Sequence, residues 1–176
     1  MPLERFSAAW RESYIVEATE RQRRGGGGEC VFCTLAHEPV GEESGVLHVS
    51  EHSFVCLNAY PYGSGHLLVL PRRHVGDMGD LSEEEGDDLF RVVRAAGSAL
   101  QRAYGPDGMN IGMNLGSAGG AGIPEHLHVH ALPRWHGDTN FMTTIGETRV
   151  LPESLASTWA KVHAAWSVPG PASAGQ

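Results

Sequence analysis

A chain of 176 residues with Lys+Arg 13 against Asp+Glu 21, formal net charge −8, is long enough for one domain with a real core. The acidic balance speaks against polyanionic partners, whether nucleic acid or an anionic membrane surface. Three cysteines cannot build a disulfide framework, so a reducing compartment, the cytoplasm, is expected; the surpluses that need explaining are 23 glycines and 10 histidines.

The first stretch, 1–28, is charged throughout and lacks the apolar centre of a signal peptide. Phe6, Trp10 and Tyr14 recur at helical spacing. Arg21, Arg23 and Arg24 then run into Gly25 to Gly28, a flexible linker by composition. The stretch is therefore an arm ahead of a globular domain, 29–141. Val46 to Val49 and Phe54 to Leu57 are short strand candidates around a polar turn, and Pro61 to Gly65 is a loop. His66 to Leu70 is a β-rich run ended by Pro71; its core, Leu67 to Leu70, is the longest compact apolar run and is far too short to span a membrane. Ser82 with Glu85 three residues later makes a capping box. Leu89, Val93, Ala96 and Leu100 share the face of a helix from Ser82 to Ala103, which Gly105 to Gly108 stops. Met109, Ile111, Met113 and Leu115 alternate with small or polar residues, as in a half-buried strand. Gly116 to Gly122 is a loop, and His126 to Leu132 has strand period. An extension, 142–166, carries a helix from Pro152 to Trp166 with Leu155, Trp159, Val162 and Trp166 on one face; the tail 167–176 reads as unstructured. Short joins between strands favour antiparallel pairing, hence an α+β domain with a helix on one face of a sheet.

The strongest chemical signal is His126-Leu-His-Val-His130. On a strand the three imidazoles share one face while Leu127 and Val129 turn to the core. Three such imidazoles suit either a catalytic metal with an open position, or metal-free transfer in which one imidazole attacks phosphorus. The preceding glycine loop, whose main-chain N–H groups lie open to anionic oxygens, favours phosphoryl or nucleotidyl transfer. From its residues alone Cys30-x-x-Cys33 is a redox dithiol, half a metal site or chance. Cys56 reads as a small buried hydrophobe. His37, His48, His52, His136 and His163 read as surface or turn residues.

Together these residues resemble the histidine-triad superfamily. The carrying motifs run in register from Cys30 to Asn140: Cys30-x-x-Cys33, Asn58, Gly65-His66 with the strand to Pro71-Arg-Arg-His74, the helix, Asn114-x-Gly116, and His126 to Leu132. Leu57 to Tyr62, Glu125 to His130, Pro133-Arg-Trp135 and Gly137 to Phe141 are similar to the actinobacterial diadenosine tetraphosphate phosphorylase-like branch. The resemblance implies a mainly antiparallel five-stranded sheet with one long helix and a C-terminal helix. It implies His128 as nucleophile, forming a covalent nucleotidyl-imidazole. His130 would assist at the phosphate oxygens and leaving group, and His66 would complete the cluster. Asn58 would contact the ribose, and Asn114, Gly116, Ser117 and Gly120 would hold phosphates. It further implies a structural zinc on Cys30, Cys33, His74 and His126, an AMP-containing nucleotide substrate such as diadenosine tetraphosphate, and a homodimer or tetramer. Hydrolytic branches carry Gln where Gly122 stands, and the phosphorylase branch ends Gly-Ser there, so water and phosphate both remain as acceptors. A nucleotide binder that hydrolyses phosphoramidates or adenylated amines, or has little catalysis, is the alternative.

Overall fold

The apolar runs pair as their alternation demands. The computed structural model describes residues 30–138 and 153–166; the expectations for the arm, for 139–152 and for the tail fall outside them. A short helix α1 (Val31–Leu35) precedes strands β1 (Val46–Val49), β2 (Ser53–Leu57) and β3 (Leu67–Pro71). After one 3-10 turn come the long helix α2 (Glu83–Tyr104), β4 (Gly108–Met113), β5 (Val129–Arg134) and α3 (Leu155–Ala165). The strands form one antiparallel sheet in the order β1-β2-β3-β5-β4. The expected α+β architecture is thus present.

Helix α2 begins at the capping box read from sequence: Ser82 Oγ accepts from Glu85 N–H, and Glu85 Oε2 accepts from Ser82 N–H. Glu85 also takes two hydrogen bonds of 2.7 Å from Arg73, and these, before the Ser82 contact, hold its carboxyl at about 2. The segment just after β3 is thereby tied to the helix, which places the neighbouring His74. The helix lays Leu89, Val92, Val93, Ala96, Ala99 and Leu100 on one face of the sheet, against Val55, Leu67, Val69, Leu127, Val129 and Ala131. Each fully buried Val or Leu is worth roughly 1.5–3 kcal/mol over exposure. The opposite face buries Phe54, Cys56, Leu68 and Leu70 under Phe32 and Ala36 of the α1 segment. Cys56 is the buried hydrophobe expected, and burial pushes its thiol up to about 12.

Three expectations need correction. Strand β5 starts at Val129, not His126, because Leu127 N–H bonds the Val75 carbonyl instead of continuing the ladder with β3. The alternation survives in this extended lead-in: Leu127 and Val129 lie in the α2 core. Ile111 is 49% exposed, since β4 is an edge strand and only Met109 and Met113 tuck partly beneath the helix. In α3 the buried residues are Thr158 and Val162, with Trp159 and Trp166 partly covered, while Leu155 is exposed. Trp159 Nε1–H donates to the Val46 carbonyl at 3.1 Å, and Glu153 accepts from Tyr104, Thr158 and Lys161, so α3 is pinned to β1 and α2.

Candidate active site and adjoining metal cluster

The imidazole face of β5 and its lead-in lies opposite α2. His126 and His128 are buried, and His130 is half-buried. His128 Nδ1 is 2.8 Å from the His126 carbonyl, which can only accept; the proton therefore sits on Nδ1 and the lone pair on Nε2. Burial lowers the pKa of His128, opposed by that same hydrogen bond, so the ring is neutral near pH 7. Its neighbour His130 lies 5.1 Å away between ring centroids. Nδ1 of His130 is 2.9 Å from Nε2 of His66, which enters from the start of β3. Gly65 makes that entry possible: its φ is +75°, and a Cβ there would meet Pro133 at 2.7 Å and Tyr104 at 2.9 Å. Asn58, just past β2, sets Nδ2 3.4 Å from His66 Nδ1, while its Oδ1 accepts from Tyr60 N–H at 2.9 Å. The structure thus brings His66, Asn58, His128 and His130 together.

Beside them stands a second group. One ligand atom from each of Cys30, Cys33, His74 and His126 lies within 4.8 Å of the others. His126 Nε2 donates to the Pro71 carbonyl at 2.9 Å, leaving its Nδ1 lone pair toward the sulfurs. Tetrahedral zinc with thiolate and imidazole ligands has S···N edges of about 3.5 Å. The separations here are 3.4 Å for Cys30–His126, 3.2 Å for Cys33–His74 and 3.6 Å for Cys33–His126. The donor set therefore fits a tetrahedral metal ion with all four positions filled by protein, and the cluster can hold one. Burial first, then the nearby His74 and His128, lowers the pKa of His126; the Pro71 hydrogen bond opposes this. The two groups share a residue that sequence reasoning passed over: Phe32, between the cysteines, sets its ring 5.5 Å from His126 and 5.4 Å from His128. The signal available was its position inside Cys-x-x-Cys, where one turn of helix must face both sulfurs inward.

A family model described as HIT domain matches residues 41–137. The chain belongs to the HIT domain family. An AP-4-A phosphorylase of Mycobacterium tuberculosis is 34% identical over 166 residues, 94% of this chain and 85% of that protein. A bis(5'-nucleosyl)-tetraphosphatase (asymmetrical) of Schizosaccharomyces pombe is 35% identical over 100 residues, 57% of this chain and 53% of that one. Among solved structures, a Zn-bound histidine triad family protein from Mycobacterium smegmatis has a TM-score of 0.62 at 25% identity, covering 78% of this chain and 92% of that one. The HIT-domain chain is thus related to proteins that process dinucleoside polyphosphates.

In this HIT-domain protein the loop after β4 is exposed. Met113 pairs with Val129, so the register carried one step further sets Asn114 level with His128. Gly116 and Gly120 have φ of +65° and +90°, and Asn114 Nδ2 reaches the Gly120 carbonyl at 3.5 Å. The N–H groups of Gly120 and Ala121 close turns on Ser117 and Gly116. The five histidines left aside in the sequence divide. His37 is exposed, and His52 lies 3.8 Å from Glu51. His136, fully at the surface, pairs with Asp107 at 2.9 Å. His163 is a surface residue as read, exposed and stacked on Trp159 one turn earlier in α3 at 4.3 Å; His48 departs from that reading, partly buried and stacked on Trp166 at 5.0 Å where α3 docks. Tyr62, which the sequence placed in a motif without a role, also belongs to the site. Its ring is 4.6 Å from His66 and 5.7 Å from His130, and its N–H donates to His66 Nδ1 at 3.0 Å.

Proposed function

We propose that this protein cleaves a dinucleoside polyphosphate of the diadenosine tetraphosphate type through a nucleotidyl intermediate on His128. The observation that carries the reading is the fixed tautomer of His128: its Nδ1–H donates to the His126 carbonyl, and Nε2 offers a lone pair on a ring kept neutral by burial. In the first step Nε2 attacks the α-phosphorus; the N–P bond forms, the P–O bond breaks, and its electron pair leaves on the departing polyphosphate. The positive charge gained by the imidazole is met by the Nδ1–H···O=C bond. In the second step an oxygen of phosphate or water attacks phosphorus, the N–P bond breaks, and the pair returns to Nε2; with water, a proton passes to solvent. His130 acts on the phosphate oxygens beside the reacting atom, and His66 holds the His130 ring through their 2.9 Å contact. Asn58 Oδ1 has a second lone pair suited to a ribose hydroxyl, and Asn114, Ser117 and the Gly116 and Gly120 turns border the phosphates. Relatives named as an AP-4-A phosphorylase and a bis(5'-nucleosyl)-tetraphosphatase support a dinucleoside polyphosphate as substrate, with phosphate or water as acceptor.

Zinc on Cys30, Cys33, His74 and His126 would supply a cross-link and no substrate chemistry, because no ligand position is left open. The residues themselves couple it to the site: His126 is at once a ligand and the acceptor that orients His128. Thiolate ligands favour a reducing, cytoplasmic setting, and no helix among the described residues is long and apolar enough to cross a membrane. The open edge of β4, with Ile111 exposed there and Phe90 exposed on α2, supports association of two copies through that side.

Incubation with diadenosine tetraphosphate, with and without phosphate, tests the reading. ADP plus ATP marks phosphorolysis, AMP plus ATP marks hydrolysis, and His128→Asn should stop both with the fold intact. Full turnover by that variant would overturn the His128 intermediate.

A further inference from the structure

The pair His66–His130 poses a question that the nucleophile does not: which nitrogens carry its protons. Two neutral imidazoles joined Nε2 to Nδ1 can be arranged in two ways, with His66 donating to His130 or the reverse. The two arrangements have opposite consequences at the second nitrogen of His130. If His66 donates, His130 must hold its own proton on Nε2 and presents a donor there. If His130 donates, its Nε2 is a lone pair and repels an anionic oxygen.

The main chain decides. Tyr62 N–H points at His66 Nδ1 from 3.0 Å, and a main-chain N–H can only donate. Nδ1 of His66 is therefore the acceptor, and its proton lies on Nε2. The Asn58 side chain is compatible with this. Its Oδ1 is fixed by the Tyr60 N–H at 2.9 Å, so the group turned toward the His66 ring is the NH2, 3.4 Å from Nδ1 and 3.5 Å from Nε2. The near-equal distances leave the choice of tautomer to the Tyr62 N–H. We propose that Tyr62 N–H, with the Asn58 amide beside the same ring, locks His66 in its Nε2–H tautomer and thereby makes Nε2 of His130 a hydrogen-bond donor. Tyr62 and Asn58 are positioning residues: they act on the reaction through His66 and His130. That this donor serves phosphate oxygens rests on the reading under Proposed function; the lock itself does not.

Any further proton on the pair would break one link of this chain. A third proton would have to sit on His66 Nδ1, against the Tyr62 N–H, or on His130 Nδ1, against the His66 N–H. Either costs a hydrogen bond. Among the described residues, the titratable groups facing the pair are the His128 ring from the β5 lead-in, the Tyr62 phenol, and Glu153. The last lines a cavity together with His66 from the start of α3, and is engaged by Lys161, Tyr104 and Thr158. From β4 the residue opposite His130 is Gly112, which bears no charge.

The test is a long-range proton–nitrogen correlation spectrum of the metal-loaded, full-length 15N-labelled chain, recorded without nucleotide. At pH 7.5 both His66 and His130 should show the Nε2–H pattern. In Asn58→Asp the NH2 donor becomes a carboxylate acceptor; the protonation midpoint of the pair should rise by roughly one unit or more, as for a carboxylate placed within about 4 Å of an imidazole. Replacing the Tyr62 amide by an ester, which deletes the N–H and keeps the ring, should move His66 to the Nδ1–H form. A wild-type His66 already in the Nδ1–H form overturns the proposal, and so does an unchanged midpoint in Asn58→Asp. The wild-type spectrum decides alone if a variant does not fold. Because the spectra need no substrate, the lock can fail while diadenosine tetraphosphate is still cleaved, and can hold where turnover is absent.

Discussion

Gly65→Ala isolates the demand that the site makes on its backbone. The residue hands the chain from the Asn58 loop into His66 at φ +75°, and its missing Cβ leaves room for Pro133, Tyr104 and Leu100. The conformational cost of alanine in this region is roughly 1–2 kcal/mol. The added methyl would sit 2.7 Å from Pro133 and 2.9 Å from Tyr104, closer than real contacts allow, and overpacking of this kind costs a further ~1–3 kcal/mol. The sum, about 2–5 kcal/mol, corresponds to a fall in Tm of roughly 5–15 °C for a chain of this size. Gly105→Ala is the control. It has φ +53° with nothing within 4 Å of the added carbon, so only the first cost, about 1–2 kcal/mol, applies. Thermal unfolding of the two variants beside wild type reads the difference. Equal losses in Tm would refute the reasoning, since the contacts at Gly65 would then cost nothing.

Removing metal with a chelator should lower Tm and reduce protection of the α1 amides in hydrogen exchange, because Cys30 and Cys33 flank the turn whose Phe32 packs on His126 and His128. An unchanged exchange pattern counts against a cross-linking metal. For the metal-free chain, His126 and His128 both have folded pKa values below the ordinary value of about 6.5, so the unfolded chain binds more protons as pH falls. Stability to urea should be full above pH 6.5 and decline below it, by at most about 1.4 kcal/mol per pH unit for each group. A profile rising toward acid would show the sign to be wrong. On the proposed association through β4, Ile111→Lys should shift sedimentation from two copies to one while leaving Tm nearly unchanged, as the side chain is already 49% exposed. An unaltered sedimentation profile means that β4 is not the contact.

Period and punctuation gave away most of the fold. Ser82 and Glu85 mark the start of α2 because a capping box is a local structure, complete within four residues. Strand pairing follows from alternation wherever one face is covered, and it misleads at Ile111 because coverage depends on how far α2 reaches across the sheet. The start of β5 was misplaced for a similar reason: hydrogen bonds from Leu127 to Val75 and from His126 to Pro71 are made by segments some fifty residues away.

The sequence by itself determined the chemical inventory: a row of three imidazoles on alternate positions, a Cys-x-x-Cys pair, and a glycine loop before them. Residue type and spacing suffice for this, since side-chain direction along an extended chain repeats every two residues. Only the tertiary structure decided how those imidazoles are used. His126 turns its Nδ1 to the cysteines because its other nitrogen donates to the Pro71 carbonyl, and His128 keeps its lone pair on Nε2 because its Nδ1–H donates to the His126 carbonyl. His66 answers to the Tyr62 main chain. A histidine's role is set by the partner of its second nitrogen, and those partners are mostly main-chain atoms. Every residue but proline carries the same N–H and C=O, so no residue type announces which of them will arrive.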